Sequence, residues 1–254
     1  MNLARFASAW IIAWTLCHAT PVTANDAATL IRQGDVFDSQ FKPDAALEKY
    51  LPAEKLDAVN AALLVKIARQ YVYRMDGLPT KAAKLESGRT ALAYAERAVK
   101  LAPGECDPHL SVAIVWGKLT PLLGVKEKME ASRLIKAAAN TAVKLNPRDD
   151  YAWHMLGRWH QAMAGMSGLT KGIAELVYGS LPAASNEEAV KCFEKAITNN
   201  PNRLLHHIEL GRTYAQMGKT AEAKAAISKG LAMPNKEQDD TETKRRGRET
   251  LKEL

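Results

Sequence analysis

Apolar residues recur every three or four positions along most of this chain, with polar residues between them, which is the period of an amphipathic helix. Residues 186–201, NEEAVKCFEKAITNNP, show the pattern in its clearest form. Asn186 is placed to cap a helix there, Glu187 and Glu188 suit its positive end, and Pro201 stops it. On the apolar face, Ala189 and Ala196 flank Phe193 at offsets of four and three residues. A large side chain between two small ones predicts closely packed helices. No strand-hairpin pattern and no long Gly/Ser stretch appears, so the chain reads as all-α.

The stripe is half of a larger pattern. Trp153, Leu156 and Gly157, followed by Ala189, Phe193, Ala196 and Pro201, resemble the tetratricopeptide repeat, W-x2-L-G-x2-Y…A-x3-F…P, which folds as two antiparallel helices. His160 stands where an aromatic residue is usual. Gly157 to Ala189 spans 32 positions where the motif has about 12, so roughly 20 residues are inserted between the two helices.

The signature recurs when such insertions are allowed. Gly34, Phe37, Ala46, Tyr50, Ala53 and Ala58 mark a first unit. Ala68, Tyr71, Ala91, Ala95, Ala98 and Pro103 mark a second, with about 11 extra residues; Ala113, Ile135, Ala139, Ala142 and Pro147 mark a third, with about 10. Gly211, Tyr214, Ala223, Ile227 and Gly230 mark an uninterrupted last unit that Pro234 ends. From Ala58 to Ala68, Pro103 to Ala113, Pro147 to Gly157 and Pro201 to Gly211 the distance is always ten residues. Growth within a unit with no growth between units is what a solenoid requires, because the turn between units sets the stacking. The expected fold is a tetratricopeptide-like right-handed helical solenoid of about five helix pairs. Its units lie at about 27–60, 61–104, 106–148, 150–202 with an insertion at 165–185, and 203–236, with a polar capping helix at 238–254.

Residues 1–24 stand apart. Arg5 precedes the apolar ASAWIIAWTLC, and Val22 and Ala24 suit a cleavage site before Asn25, the features of a signal peptide. The chain is therefore expected to be exported, periplasmic or secreted, with an uncleaved N-terminal membrane anchor as the alternative. Cleavage removes Cys17 and leaves Cys106 and Cys192, far apart and in no CxxC pattern, which read as buried small hydrophobes rather than a disulfide framework. The formal charge of +7, lowered by one when the leader goes, favours acidic partners or an anionic surface. The lysines are dispersed along helices, and an exported chain does not meet nucleic acid, so that partner is set aside.

AVKLNPRDDYAWHMLGRWHQAMA, followed by the insertion GMSGLTKGIAELVYGSLPAASNEEAVKCFEKA, resembles the regulator of microtubule dynamics family in its LNP…LG helix, its inserted segment and its acidic-start helix. The resemblance covers roughly residues 60 to 236. It implies a non-enzymatic helical adaptor with no cofactor; eukaryotic members associate with microtubules, and some are membrane-anchored. The leader departs from that picture, since microtubules are a partner only for an intracellular protein in a eukaryote.

In such a solenoid the first helices of successive units line a concave groove. With the small residue of each unit at position 8, position 9 reads Asp35, Arg69, Ile114, Arg158 and Arg212. Arg69, Arg158 and Arg212 are candidates to grip carboxylates, with His154 and Tyr151 beside them; pairing with acids on adjacent helices is the structural alternative. Position 5 reads Ile31, Val65, Leu110, His154 and Ile208, an apolar floor for a partner helix or a lipid, or simply packed interior. Leu169, Ile173, Leu176, Val177 and Tyr178 in the insertion form a candidate lid or contact patch. No HExxH, CxxC or phosphate-loop pattern appears, so neither a metal nor catalysis is expected. The function expected is protein–protein interaction through the groove, with lipid binding as the second reading.

Overall fold

A computed structural model describes residues 24–166, 168, 171–172, 175 and 183–254 of the chain. Among these there are eleven α-helices and no strand. They run α1 (Ala24–Ser39), α2 (Pro43–Leu56), α3 (Ala61–Gly77), α4 (Lys81–Leu101), α5 (Cys106–Leu119), α6 (Val125–Leu145), α7 (Asp150–Ala164), α8 (Asn186–Asn199), α9 (Leu204–Gln216), α10 (Thr220–Ala232) and α11 (Asp240–Lys252). Consecutive helices pack as antiparallel pairs and each pair stacks on the next, the arrangement of a tetratricopeptide-like array. Residues 1–23 of the leader and the five candidate lid residues lie outside the described residues. No described helix is long and apolar enough to cross a membrane.

Helix starts follow from side-chain capping. Asn60, Thr80 and Asp149 each accept the backbone N–H three residues on. At α8 the cap is Ser185, one residue before the expected Asn186: Ser185 has extended backbone and accepts from Glu188 N at 3.2 Å, whereas Asn186 is already helical. The extra residues of the second and third units also settle differently from a grown turn. They lengthen α4 and α6 to 21 residues each, against 14 for α2, and leave short connections at 78–80 and 120–124. Longer helices satisfy their own backbone groups, whereas a longer loop would not.

The constant ten-residue spacing has a physical cause. His109 Nε2, Trp153 Nε1 and His207 Nε2, at the same position of three units, each donate to the carbonyl of the proline six residues earlier at 2.9 Å. The three clamps tie each turn to the helix that follows it, through Pro103, Pro147 and Pro201. A residue inserted there would break the clamp.

Within pairs, small residues let backbones approach. Ala189, Phe193 and Ala196 are fully buried, and Phe193 lies against Gly157, where an added Cβ would sit 2.9 Å from its ring. At Gly211 an added Cβ would sit 2.6 Å from Ile227. Trp159 is buried, while Trp116 and Trp153 pack partly buried on the same core. Cys106 and Cys192 are buried and unbridged. Helix α11 closes the array: Gly247 rests on Ile208 and Ile227, the inner surfaces of the last pair.

Candidate functional site

Helices α1, α3, α5, α7 and α9 turn toward the inner face, and the structure separates the arginines that the repeat register aligns. Arg69 pairs with Asp38 on the preceding inner helix, where Gln70 also donates to Asp38 at 2.8 Å. Arg158 and Arg212 come together on Glu209, a fully buried carboxylate of α9. Arg158 Nη1 donates to Glu209 Oε2 at 2.5 Å, Arg212 Nη1 to both carboxylate oxygens at 3.0 and 2.8 Å, and Arg246 of α11 lies 3.2 Å from Oε1. Burial alone would raise the Glu209 carboxyl, but the Arg158, Arg212 and Arg246 guanidiniums hold it below its ordinary value. These arginines join α7, α9 and α11.

His154 is buried, not presented to the groove. Its ring meets Tyr151, Phe193 and His206 at centroid distances of 5.5, 5.3 and 5.0 Å. His206 Nε2 donates to Asp150 Oδ2 at 2.8 Å, so the neutral ring accepts at Nδ1, and His154 Nδ1–H donates to it at 3.0 Å. Burial pushes both imidazoles below their ordinary value, His154 well below; Asp150 opposes the shift at His206 without overcoming it. Of the apolar register, Leu110 and Ile208 are buried, while Ile31 and Val65 are half-buried against the core.

Part of the chain itself meets these inner helices. The connection from α10 to α11 crosses to the earlier units. Lys118 of α5 donates to Asp239 Oδ1 at 2.8 Å, Gln238 Nε2 donates to the Tyr73 carbonyl of α3 at 3.4 Å, and Arg203, just before α9, lies 3.4 Å from Glu237. Arg203 also lies 3.2 Å from Asp150 and stacks over the Tyr151 ring at 4.9 Å. Burial raises the Tyr73 phenol to about 12, and Asp38, Glu237 and Asp239 add to the shift in part against Arg69. Tyr151 thus faces the site, together with Tyr73, Lys118 and Arg203, which the repeat register does not single out. Their only signal in the sequence is the acidic run KEQDD (236–240) beside a basic helix.

Cys106 Sγ, Asp107 and Asp149 have ligand atoms within 4.8 Å of one another. Burial and both carboxylates raise the Cys106 thiol to about 12, and Asp149 already caps α7 through Ala152 N at 2.7 Å, so the group is a poor metal site. A shallow hollow of about 690 Å³ runs along α4 past Leu85, Arg89, Tyr94 and Arg97, on an outer helix.

Fold and site define a tetratricopeptide-like helical repeat protein. A thermophilic TPR protein from Thermus thermophilus superposes with a TM-score of 0.64 over 89% of this chain and 98% of its own, at 17% identity. The MamA protein does so with a TM-score of 0.50 over 87% and 96%. Residues 30–254 match the family described as Regulator of microtubule dynamics protein 1-3, and the chain belongs to that family. Regulator of microtubule dynamics protein 1 of Bos taurus is 29% identical over 151 residues, 59% of this chain and 48% of the relative. Protein 3 of Rattus norvegicus is 24% identical over 179 residues, 70% of this chain and 38% of the relative. The chain thus spans about half the length of these relatives or less. Fold and family together support a protein-interaction scaffold.

Proposed function

We propose that this protein is a non-enzymatic scaffold that holds a segment of a partner protein along its inner face. One observation carries the reading: side chains and a backbone carbonyl of three units already receive the turn at Glu237–Asp239 there, through Lys118, Arg203 and the Tyr73 carbonyl. Solenoids of this kind offer such continuous surfaces because each repeat contributes one inner helix. The relatives' name makes microtubules one partner to present to it.

The test is site-specific photo-cross-linking from Ile114 on inner helix α5, compared with the exposed Arg89 on outer helix α4. A partner captured from Ile114 and not from Arg89 supports the reading. Capture from Arg89 alone moves the interaction to the outer face and contradicts it.

A further inference from the structure

We propose that the outer face formed by α4 and α6 docks on an anionic phospholipid surface. The inference goes beyond the scaffold reading, because this face lies away from the inner helices and leaves them free for a protein partner.

The charge of the chain is gathered on these two helices. Each has five lysines and arginines against two glutamates, an excess that together nearly accounts for the formal charge of +7. The flanking outer helices α2 and α8 each have three acids against two lysines.

The repeat register orders the cations. Arg89 and Lys100 of α4 stand 44 residues before Arg133 and Lys144 of α6, and within each helix the two are 11 residues apart. All four are exposed. Eleven residues make about three helical turns, so each pair lies along one line of its helix, about 16 Å apart. Asp44 and Glu187 stand in place of the arginine in the first and fourth units, which confines the grid to the second and third.

These cations differ from those of the inner face, where Arg69, Arg158, Arg203 and Arg212 all meet carboxylates. On the outer face Arg97 is tied to Glu54 at 2.7 Å, and Lys136 lies over the Trp159 ring at 4.3 Å. Lys81, Arg89, Lys100, Lys126, Lys128 and Lys144 are exposed and have no salt-bridge partner among the described residues.

Aliphatic side chains protrude among them. Leu101 and Leu145, each following its lysine, are 44% and 38% exposed, and Val125 beside Lys126 is 69% exposed. Leu85 and Ala93 line the shallow hollow that Arg89 and Arg97 border. Exposed cations around protruding aliphatic groups suit a bilayer interface, where the cations meet anionic headgroups and the aliphatic groups enter the acyl boundary. A purely acidic peptide would meet the cations and leave Leu101, Leu145 and Val125 in water.

The test is co-sedimentation of the full chain with vesicles of phosphatidylcholine containing about 30% phosphatidylserine, and with vesicles of phosphatidylcholine alone. Binding through the apolar stretch 7–17 would be equal on both, so the difference between them reads the face. The unaltered chain should bind the anionic vesicles at least about thirtyfold more tightly. Arg89→Gln, Lys100→Gln, Arg133→Gln and Lys144→Gln together should remove at least about tenfold of that preference. Lys191→Gln, Lys195→Gln, Lys224→Gln and Lys229→Gln, an equal loss of charge on α8 and α10, should change it by less than about threefold. Leu101→Ser with Leu145→Ser should weaken binding about threefold or more. Equal binding of the unaltered chain to the two vesicle types overturns the proposal. Equal losses in the two quadruple variants overturn the assignment to α4 and α6, since net charge alone would then govern binding. Full vesicle binding by the leucine variant, with equally tight binding of soluble polyglutamate, gives the face to an acidic protein and overturns the membrane reading. Cross-linking from Ile114 judges the scaffold reading separately in every case.

Discussion

Arg158 of α7 and Glu209 of α9 lie 2.5 Å apart, guanidinium nitrogen to carboxylate oxygen, with the carboxylate fully buried. A buried carboxylate with three arginines is costly to disturb, because removing the negative charge leaves cations facing one another without it. Glu209→Gln should cost about 3–5 kcal/mol in denaturant unfolding. Arg158→Ala should also lower the melting temperature, which marks this arginine as a brace between units. Unchanged stability in both variants would return Arg158 to the list of ligand-gripping residues.

Phe193 fills the gap that Gly157 leaves open. Phe193→Ala should cost roughly 3–5 kcal/mol through the cavity it creates. Ala196→Phe and Gly157→Ala should each cost ~1–3 kcal/mol by overfilling the same seam. Chemical denaturation of the three single variants, and of Gly157→Ala combined with Phe193→Ala, checks the idea. Strict additivity in the combined variant would argue against contact.

The ring-to-proline clamps make a narrower prediction. Trp153→Phe and His207→Phe keep an aromatic ring but lose the N–H, so each should cost about 0.5–1.5 kcal/mol. Hydrogen exchange should rise first in the turns at Pro147 and Pro201, respectively. A uniform rise across the chain would show that the clamp is not local.

Acid should loosen the fourth and fifth units. His154 and His206 titrate below the ordinary value of 6.5 in the folded chain, so unfolding takes up protons as pH drops below that value. Their contribution is fully present above about pH 6.5 and is lost as pH falls toward the folded-state values. Asp150, held below 3.8 chiefly by His206 and Arg203 against the effect of burial, adds a further loss at lower pH. The unfolding midpoint in urea should fall between pH 7 and pH 5, and the slope should be shallower in His206→Gln.

The array was legible in the sequence because its determinants are local. Ala189, Phe193 and Ala196 share one helix, and the ten-residue junctions repeat within sight of each proline. Insertions could be counted from the register, but whether they extend a turn or a helix depends on segments such as Lys81–Leu101 forming without a break. The site was less legible because its contacts are distant. Lys118 and Asp239 are 121 residues apart, and each is an ordinary charge on a polar stretch. Arg158 and Arg212 were visible as a stripe, yet nothing local marks Glu209 as the buried carboxylate that takes both. His154 and His206, 52 residues apart, look unrelated until α7 and α9 bring them together.

Native-state hydrogen exchange on the intact chain tests the central claim most directly. If the segment before α11 is seated on the inner face, the amides of Lys236, Glu237 and Asp240, all hydrogen-bonded here, are protected. Protection should fall in Glu237→Gln with Asp239→Asn, and exchange near Tyr73 should rise with it. Exchange of residues 236–240 at the random-coil rate in the unaltered chain would contradict the account, because the inner face would then be holding nothing.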